Sequence, residues 1–188
     1  MPEPITILIS GALGTGKSTV SERATYFFRE HLGETATLST DEFYRMFDPR
    51  WTTNNRDWWK TAMQNCFAVA TWLFQHGVQI VVIEGNGFYA KDSVDEVLCA
   101  LGSHSTVYHI TLDAQLDVVT ERVRQRGDLE RHGQEGLAAW LNLVHGHLAD
   151  WTYVIDTSNL TPEETLVQIY EYIRESTGIQ TRLSSEKR

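Results

Sequence analysis

A glycine-rich stretch near the start of the chain, GALGTGKS at residues 11–18, constrains the fold more than any other feature. It matches the pattern G-x-x-x-x-G-K-S, in which glycines let backbone amides turn toward an anion. Lys17 adds a positive charge for the outer phosphates of a nucleotide, and the Ser18 hydroxyl suits Mg²⁺. This pattern acts between a buried strand and a helix, so it predicts an α/β fold that binds a nucleotide.

The sequence on both sides of the loop has the required character. Residues 5–9, ITILI, form a short apolar run that is typical of a buried parallel strand. Val20, Ala24 and the pair 27–28 then recur at helical spacing. We therefore expect ATP phosphates to be bound by the loop and the first helical turn, namely by Gly11, Gly14, Thr15, Gly16, Lys17, Ser18 and Thr19.

Composition narrows the class of protein. The chain has 188 residues, and we expect one domain over 1–176 followed by a polar tail over 177–188. The formal net charge of −9 disfavours nucleic acid as a partner, because phosphate contacts dominate that affinity. The sequence contains neither a signal peptide nor an apolar run long enough for a membrane span. Cys66 and Cys99 lie in apolar helical patterns and are predicted to be buried free thiols, which suits the cytoplasm.

Strand and helix patterns alternate along the whole chain. Apolar strand candidates occupy residues 5–9, 35–39, 79–83, 105–112 and 153–156, with helical periodicity between them. This alternation predicts a parallel sheet covered by helices on both faces, which is a three-layer αβα sandwich.

Polar residues follow three of these strands, at the edge where open parallel sheets bind ligands. Asp41 follows the second strand and is a candidate base for a substrate hydroxyl, although Asp also suits a helix cap there. Glu84 ends the third strand, where an acid can hold Mg²⁺, orient substrate or simply face solvent. Asp156 ends the last strand. We expect these groups to converge near the phosphate loop.

Further residues near these strand ends are predicted to contact a substrate. Arg45 and Asn86 lie close in sequence to the two acids, and the glycines beside Asn86 permit close approach of a ligand. Tryptophans cluster at 51, 58 and 59, and Trp59 is the predicted substrate contact. Such a cluster lines an apolar pocket or belongs to the core, and the sequence leaves both interpretations open.

An arginine-rich segment, ERVRQRGDLERHG at 121–133, has the character of a lid over about 124–136. Arg122 and Arg126 are four apart and share a helix face, so both are predicted to contact the phosphates of ATP, and Arg126 is also predicted to stabilise the transferring phosphate. Arg131 is a further candidate for this role. Gly127 and Gly133 are candidate hinges. The alternative is a solvated helix face with internal ion pairs.

Together these motifs resemble small P-loop kinases of the nucleotide-kinase type, a group that includes shikimate, gluconate and adenylylsulfate kinases. The chain is most similar in pattern to chloramphenicol phosphotransferase-like proteins. That resemblance rests on residues 121–122, 126–128, 143–145 and 155–157. It implies a five-stranded parallel sheet in the order 2-3-1-4-5, ATP and Mg²⁺ at Lys17 and Ser18, Asp41 as the base, and Arg126 in the lid. The implied acceptor is a chloramphenicol-like antibiotic or another hydroxylated metabolite.

Three functions therefore remain open. An ATP-dependent kinase, as monomer or homodimer, uses all of the predicted site residues. A nucleotide-dependent switch or regulatory ATPase needs no acceptor; the base-reading N-K-x-D of a GTPase is absent from the sequence. A polynucleotide 5′-hydroxyl kinase is the third, because residues 40–45, TDEFYR, resemble polynucleotide kinases, although the net charge disfavours it.

Overall fold

A five-stranded parallel sheet forms the centre of the molecule. The computed structural model describes residues 3–50, 52–53, 55–147 and 152–177. The strands are β1 (Ile5–Gly11), β2 (Thr35–Ser39), β3 (Ile80–Glu84), β4 (Thr106–Asp113) and β5 (Tyr153–Asp156). They pair in the order β2-β3-β1-β4-β5, and every pairing is parallel. The predicted three-layer αβα fold and strand order are confirmed.

Seven helices connect and cover the strands among the described residues. They are α1 (Lys17–His31), α2 (Thr40–Arg45), α3 (Arg56–Gln75), α4 (Lys91–Leu101), α5 (Leu116–Gln125), α6 (Leu129–His147) and α7 (Pro162–Thr177). The start of α7 is a reciprocal cap: the Thr161 amide donates to Glu164 Oε2 at 2.8 Å, and the Glu164 amide donates to Thr161 Oγ1 at 3.2 Å. None of the described helices is both long and apolar enough to cross a membrane.

The central strand β1 is buried along its whole length and divides the core in two. Ile5, Ile7 and Ile9 pack in one apolar cluster with α1 and α7, whereas Leu8 packs on the opposite face with α3 and α4. This split follows from the alternation of side chains along a strand. The apolar run that predicted β1 therefore needs a helix layer on each face, and it has both.

Burial corrects one prediction about the cysteines. Cys66 on α3 is fully buried, as expected, and burial raises the pKa of its thiol to about 12. Cys99 on α4 is exposed, so the prediction of a buried thiol is wrong there. The helical pattern around Cys99 places Val97 and Leu101 in the core instead, and a residue between those two positions on the helix faces outward.

Candidate active site

The glycine-rich loop leaves the carboxyl end of β1 and leads into α1, as the motif predicts. Gly14 and Gly16 adopt φ values of 82° and 102°, which L side chains rarely adopt. At Gly11 a Cβ atom would lie 2.2 Å from the Leu112 carbonyl oxygen on β4. The glycines are therefore required both for the turn and for close packing on the neighbouring strand.

Lys17 folds its side chain back into the loop. Its Nζ donates to the Ala12 carbonyl at 2.9 Å, and the Thr15 hydroxyl donates to the same oxygen at 2.8 Å. The lysine is only 6% exposed. Burial lowers its pKa, and the nearby carboxylates of Glu84 and Asp41 oppose that shift. The ammonium group is thus held beside two acids, at the point where the loop faces the strand ends.

Two cavities flank the loop. The first has a volume of about 280 Å³ and lies on the α5 and α7 side. Its lining combines loop residues with arginines of the segment predicted as a lid and with residues before and within α7: Thr15, Gly16, Thr19, Val20, Arg122, Gln125, Arg126, Thr157, Leu160, Pro162 and Thr165. We call it the nucleotide-side cavity, because it opens onto the phosphate-binding loop.

Arg122 connects the two sides of this cavity by hydrogen bonds. Its guanidinium donates to the Thr157 carbonyl at 2.7 Å, to the Thr157 hydroxyl at 3.1 Å and to the Gly14 carbonyl at 3.4 Å. Thr157 is 3% exposed and its hydroxyl in turn donates to the Thr15 carbonyl at 2.8 Å. Burial, and next the charge of Arg126, lower the pKa of Arg122. The arginine therefore fastens the loop to the segment after β5.

Arg126 stands at the end of α5 and is exposed. It reaches the loop through a hydrogen bond of 3.5 Å to the Thr19 hydroxyl. Gly127 has φ 79°, and α6 is interrupted at Gly133 with φ 67° and ψ 155°. The segment predicted as a lid is thus a helical turn between two glycines in left-handed conformations. Arg131 lies in that turn and is exposed.

The second cavity lies on the α2 side of the loop and is larger, at about 700 Å³. We call it the acceptor-side cavity. Ser18, Asp41, Arg45 and Glu84 all line it, as four of the predicted site residues. The remaining described lining residues are Ser21, Glu22, Thr25, Thr37, Leu38, Ser39, Glu42 and Phe43. The magnesium candidate and the base candidate therefore face one volume.

The close contact between β3 and α2 brings the acids together. A Cβ at Gly85 would lie 2.1 Å from the Thr40 hydroxyl, and that hydroxyl donates to the Glu84 carbonyl at 3.4 Å. Asp41 follows Thr40 directly and accepts a hydrogen bond from Asn86 Nδ2 at 3.1 Å. The absence of a side chain at position 85 thus lets the two strand ends share one cluster of polar groups.

Three oxygens of this cluster have no hydrogen-bond donor among the described residues. They are Asp41 Oδ1, Glu84 Oε2 and Asn86 Oδ1, and all three are shielded from solvent. Glu84 is 5% exposed, and its other oxygen accepts from the Ser39 hydroxyl. Buried acceptors without donors destabilise a fold, so their presence here indicates a site that a ligand completes.

The environment of Asp41 suits a proton acceptor. Burial, and next repulsion from Glu84, raise the pKa of Asp41 to about 6. Lys17 and Arg45 act in the opposite direction. A carboxyl group with this pKa is mostly ionised at neutral pH and is a stronger base than an ordinary aspartate.

The other predicted substrate residues have different surroundings. Arg45 lines the acceptor-side cavity and forms an ion pair with Glu42 at 3.0 Å. Trp59 stacks on the fully buried Tyr44, with ring centroids 4.1 Å apart, and it is not among the described lining residues. Trp58 stacks on Phe47 instead. Trp51 lies outside the described residues.

Asp156 does not join the cluster that we expected at the strand ends. It accepts hydrogen bonds from the Ser158 amide and hydroxyl, and it lines a third cavity of about 290 Å³. That cavity also contains Asp113 and His145, whose Nε2 lies 2.9 Å from an Asp113 oxygen. The expected convergence is therefore wrong for this residue, because β5 is an edge strand on the far side of β4.

Sequence patterns missed several residues of the site. Thr157 contacts both Arg122 and the loop, and Ser39 donates to Glu84. Both lie at strand ends, directly after Asp156 and directly before Thr40, and this position was the signal available. Glu22 on α1 also lines the acceptor-side cavity, and its helical spacing gave no such indication.

Comparison with known families gives the class of the protein. The family model described as AAA domain matches residues 7–148, which is well over half of the 188-residue chain, so the protein belongs to this family. A comparison with curated protein sequences finds no match. The residues matched by the AAA domain model include the loop, Asp41, Glu84 and the arginine-rich segment.

Solved structures share the fold, and two of the three described here are kinases. The APS kinase of Mycobacterium tuberculosis in complex with AMPPNP and APS has a TM-score of 0.65 at 14% identity, covering 93% of this chain and 99% of that one. Shikimate kinase from Acinetobacter baumannii in complex with shikimate has a TM-score of 0.64 at 15% identity, covering 95% and 97%. The tunicamycin resistance protein of Deinococcus radiodurans has a TM-score of 0.62 at 17% identity, covering 95% and 98%. The predicted resemblance to P-loop kinases of the nucleotide-kinase type is confirmed at the level of the fold.

Proposed function

We propose that the protein is an ATP-dependent phosphotransferase that moves the γ-phosphate of ATP to a hydroxyl group of a small molecule. One observation carries this proposal: the phosphate-binding loop has a cavity on each side. Thr15, Gly16 and Thr19 line the nucleotide-side cavity, whereas Ser18 lines the acceptor-side cavity together with Asp41. A phosphate bound on the loop would therefore face the acceptor.

The nucleotide-side cavity suits the base and ribose of ATP. Pro162 and Leu160 supply apolar surface on one side, and the guanidinium of Arg122 supplies a planar cation on the other. The phosphates would then follow the loop toward Lys17. Its ammonium now donates to the Ala12 carbonyl, and a phosphate oxygen would replace that acceptor with a charged one.

The residues present suit Mg²⁺. Ser18 is exposed and lines the acceptor-side cavity. Mg²⁺ takes oxygen ligands and keeps several waters, so Ser18 would hold it directly, and the free oxygen of Glu84 is left to contact either one of these waters or the substrate. When bound, Mg²⁺ neutralises charge on the phosphate oxygens.

Asp41 is the proposed base. Its Oδ1 has no donor, whereas its Oδ2 is held by Asn86 Nδ2 at 3.1 Å. As the acceptor oxygen forms its bond to the γ-phosphorus, Asp41 takes the hydroxyl proton, and the bond between that phosphorus and the ADP oxygen breaks. The proton then leaves Asp41 with the products. The pKa of about 6 permits both uptake and release near neutral pH.

Arg126 is proposed to complete the site. Its side chain is exposed, and it contacts Thr19 at the start of α1 through one long hydrogen bond. A guanidinium in this position is free to turn toward the transferring phosphate, where it would stabilise the charge that develops. The glycine at 127 and the break at Gly133 permit that adjustment.

A screen of candidate compounds would identify the phosphate acceptor. A panel of hydroxylated metabolites and antibiotics, including chloramphenicol, should yield at least one compound that stimulates ADP release, and the product should carry a new phosphate ester by mass spectrometry. Calorimetry should detect uptake of Mg²⁺–ATP by the protein and none by Lys17→Ala. ATP hydrolysis that no acceptor stimulates, but a protein partner does, would favour a regulatory ATPase instead.

The lining of the acceptor-side cavity bears on the remaining alternative. Four carboxylates line it, those of Glu22, Asp41, Glu42 and Glu84. A polynucleotide end would bring phosphates into this negative surface, which costs electrostatic energy. We therefore favour a small molecule over a polynucleotide 5′-hydroxyl as the acceptor, with the protein acting as monomer or homodimer in the cytoplasm.

A further inference from the structure

The charge of the acceptor-side cavity indicates what kind of hydroxyl compound it takes. Its described lining carries four carboxylates and one cation, Arg45, which is paired with Glu42 at 3.0 Å. Bound Mg²⁺–ATP would add further negative charge, because the triphosphate outweighs the metal. A substrate that carries a carboxylate, sulfate or phosphate would meet repulsion and no uncommitted arginine among these residues.

The floor of the cavity has a second property that does not depend on the charge count. Glu84 lines the cavity, is more than nine-tenths buried, and has one carboxylate oxygen without a donor. Asp41 Oδ1 and Asn86 Oδ1 also lack donors among the described residues. Asn86 is not among the described lining residues, but its amide donates to Asp41, so its oxygen lies beside the cavity and accepts no hydrogen bond among the described residues. The cluster therefore needs hydrogen-bond donors.

An ammonium group supplies the donors that these three oxygens lack, since the nearby ammonium group of Lys17 donates to the Ala12 carbonyl instead. It carries three N–H donors, no acceptor and a positive charge. A neutral hydroxyl supplies one donor, and a carboxylate supplies none. Resting on the phosphotransferase proposed above, we infer that the natural phosphate acceptor is a hydroxylated amine, an amino alcohol or amino sugar, whose ammonium group is bound by the acidic cluster while its hydroxyl reaches Asp41.

Three compounds of equal size test this inference. Serinol, glycerol and glycerate share a three-carbon skeleton with hydroxyl groups, and at pH 7.5 they are a cation, a neutral molecule and an anion. With saturating Mg²⁺–ATP, serinol should have a kcat/KM about tenfold or more above that of glycerol, because a charge-assisted hydrogen bond is stronger than a neutral one. Glycerate should be the poorest acceptor. Equal values for serinol and glycerol, or a preference for glycerate, would overturn the inference.

A charge variant at the cavity wall gives a second readout. Glu22→Gln should raise the KM for serinol about threefold, the range for an exposed charge pair, and should raise the KM for glycerol by less. Glu30→Gln is the matched control, since Glu30 is also an exposed glutamate of α1 but does not line the cavity. An equal effect of the two substitutions, or an equal effect of Glu22→Gln on both acceptors, would contradict a specific role for the ammonium group.

If none of the three compounds is phosphorylated, a measurement of their binding to the protein tests the inference instead. In the presence of Mg²⁺ and ADP, NMR titration should show serinol binding more tightly than glycerol or glycerate, with shifts at Asn86 and Glu84. Absence of serinol binding, or its displacement by added Mg²⁺, would assign the free oxygens to the metal and overturn the inference. A different result would show that the proposed phosphotransferase function is wrong: no compound of the larger acceptor screen would stimulate ADP release.

Discussion

The two cavities beside the phosphate-binding loop differ in how well their polar groups are paired. On the nucleotide side, Arg122 and Thr157 form a closed set of hydrogen bonds with the loop. On the acceptor side, the cluster of Asp41, Glu84 and Asn86 has three buried oxygens without donors among the described residues. The first region is built before any ligand arrives, whereas the second is completed by what it binds.

Substitutions in the two regions should therefore have different effects on stability and on activity. A fully paired network contributes to the free energy of unfolding, and its loss is felt in the empty protein. An unpaired acidic cluster costs stability and is retained where a site needs it. Variants of the network formed by Arg122 and Thr157 should lower both stability and activity, and variants of the acceptor side should lower activity alone.

Lys17 lies between the two regions and should show the largest effect. Lys17→Ala removes the charge that we assign to the outer phosphates, so turnover should fall by about 10³-fold or more, as expected when a transition-state charge partner is lost. Coupled ADP-release assays measure this. Lys60→Ala, at an exposed lysine of α3, should retain activity. Wild-type turnover in Lys17→Ala would refute the site.

Asp41→Asn should lower the rate of phosphate transfer while leaving the fold and the binding of ATP intact. The amide cannot take the hydroxyl proton, so kcat should fall about 10²-fold, the usual contribution of a general base. Affinity for ATP should stay nearly unchanged in calorimetry. The wild-type kcat/KM should decline below pH 6 as Asp41 becomes protonated, given its pKa of about 6. Equal losses of ATP affinity and of rate would instead give Asp41 a structural role.

Two arginines of the arginine-rich segment, Arg122 and Arg126, give the most direct test of the comparison. Arg122→Ala removes hydrogen bonds to Thr157 and Gly14 and should lower the free energy of unfolding by about 1.5–3 kcal/mol in urea titrations. Arg126→Ala should leave that energy within about 0.5 kcal/mol of wild type but lower kcat by about 10²-fold. Arg124→Ala is the control, since this exposed residue pairs only with Glu121 among the described residues. Unchanged stability in Arg122→Ala would contradict its clamping role.

The last prediction concerns the dependence of stability on pH. Asp41 has a pKa raised from 3.8 to about 6 in the folded protein, so between these values the folded state holds a proton that the unfolded chain releases. Wild type should therefore lose stability relative to Asp41→Asn as pH rises from 3.8 to about 6, with no further change above. Melting temperatures across pH measure the difference. A constant difference between the two proteins across this pH range would contradict the raised pKa of Asp41.

Local patterns were sufficient for the elements and for part of the site. The β1 run, the glycines of the loop and the position of Asp41 after β2 predicted where a nucleotide and a base would lie. The order of the sheet came from the resemblance to P-loop kinases, and the structure confirms it. Strand and loop patterns succeed because the residues that define them are neighbours in sequence.

Local sequence patterns did not predict the contacts between distant segments. Arg122 was expected over phosphates, but it binds Thr157, 35 residues away. Asn86 holds Asp41 across 45 residues. Asp156 was expected at the site, yet β5 lies at the sheet edge and directs it to another cavity. No periodicity encodes such partners.

The sequence by itself determined the glycine-rich loop at residues 11–18 and the alternation of strands and helices, because glycine conformations and apolar runs act locally. The tertiary structure alone decided which acids share a cavity, which arginine clamps the loop and which oxygens have no donor. Those properties arise from packing between β3 and α2 and between α5 and the segment after β5, where distant residues meet.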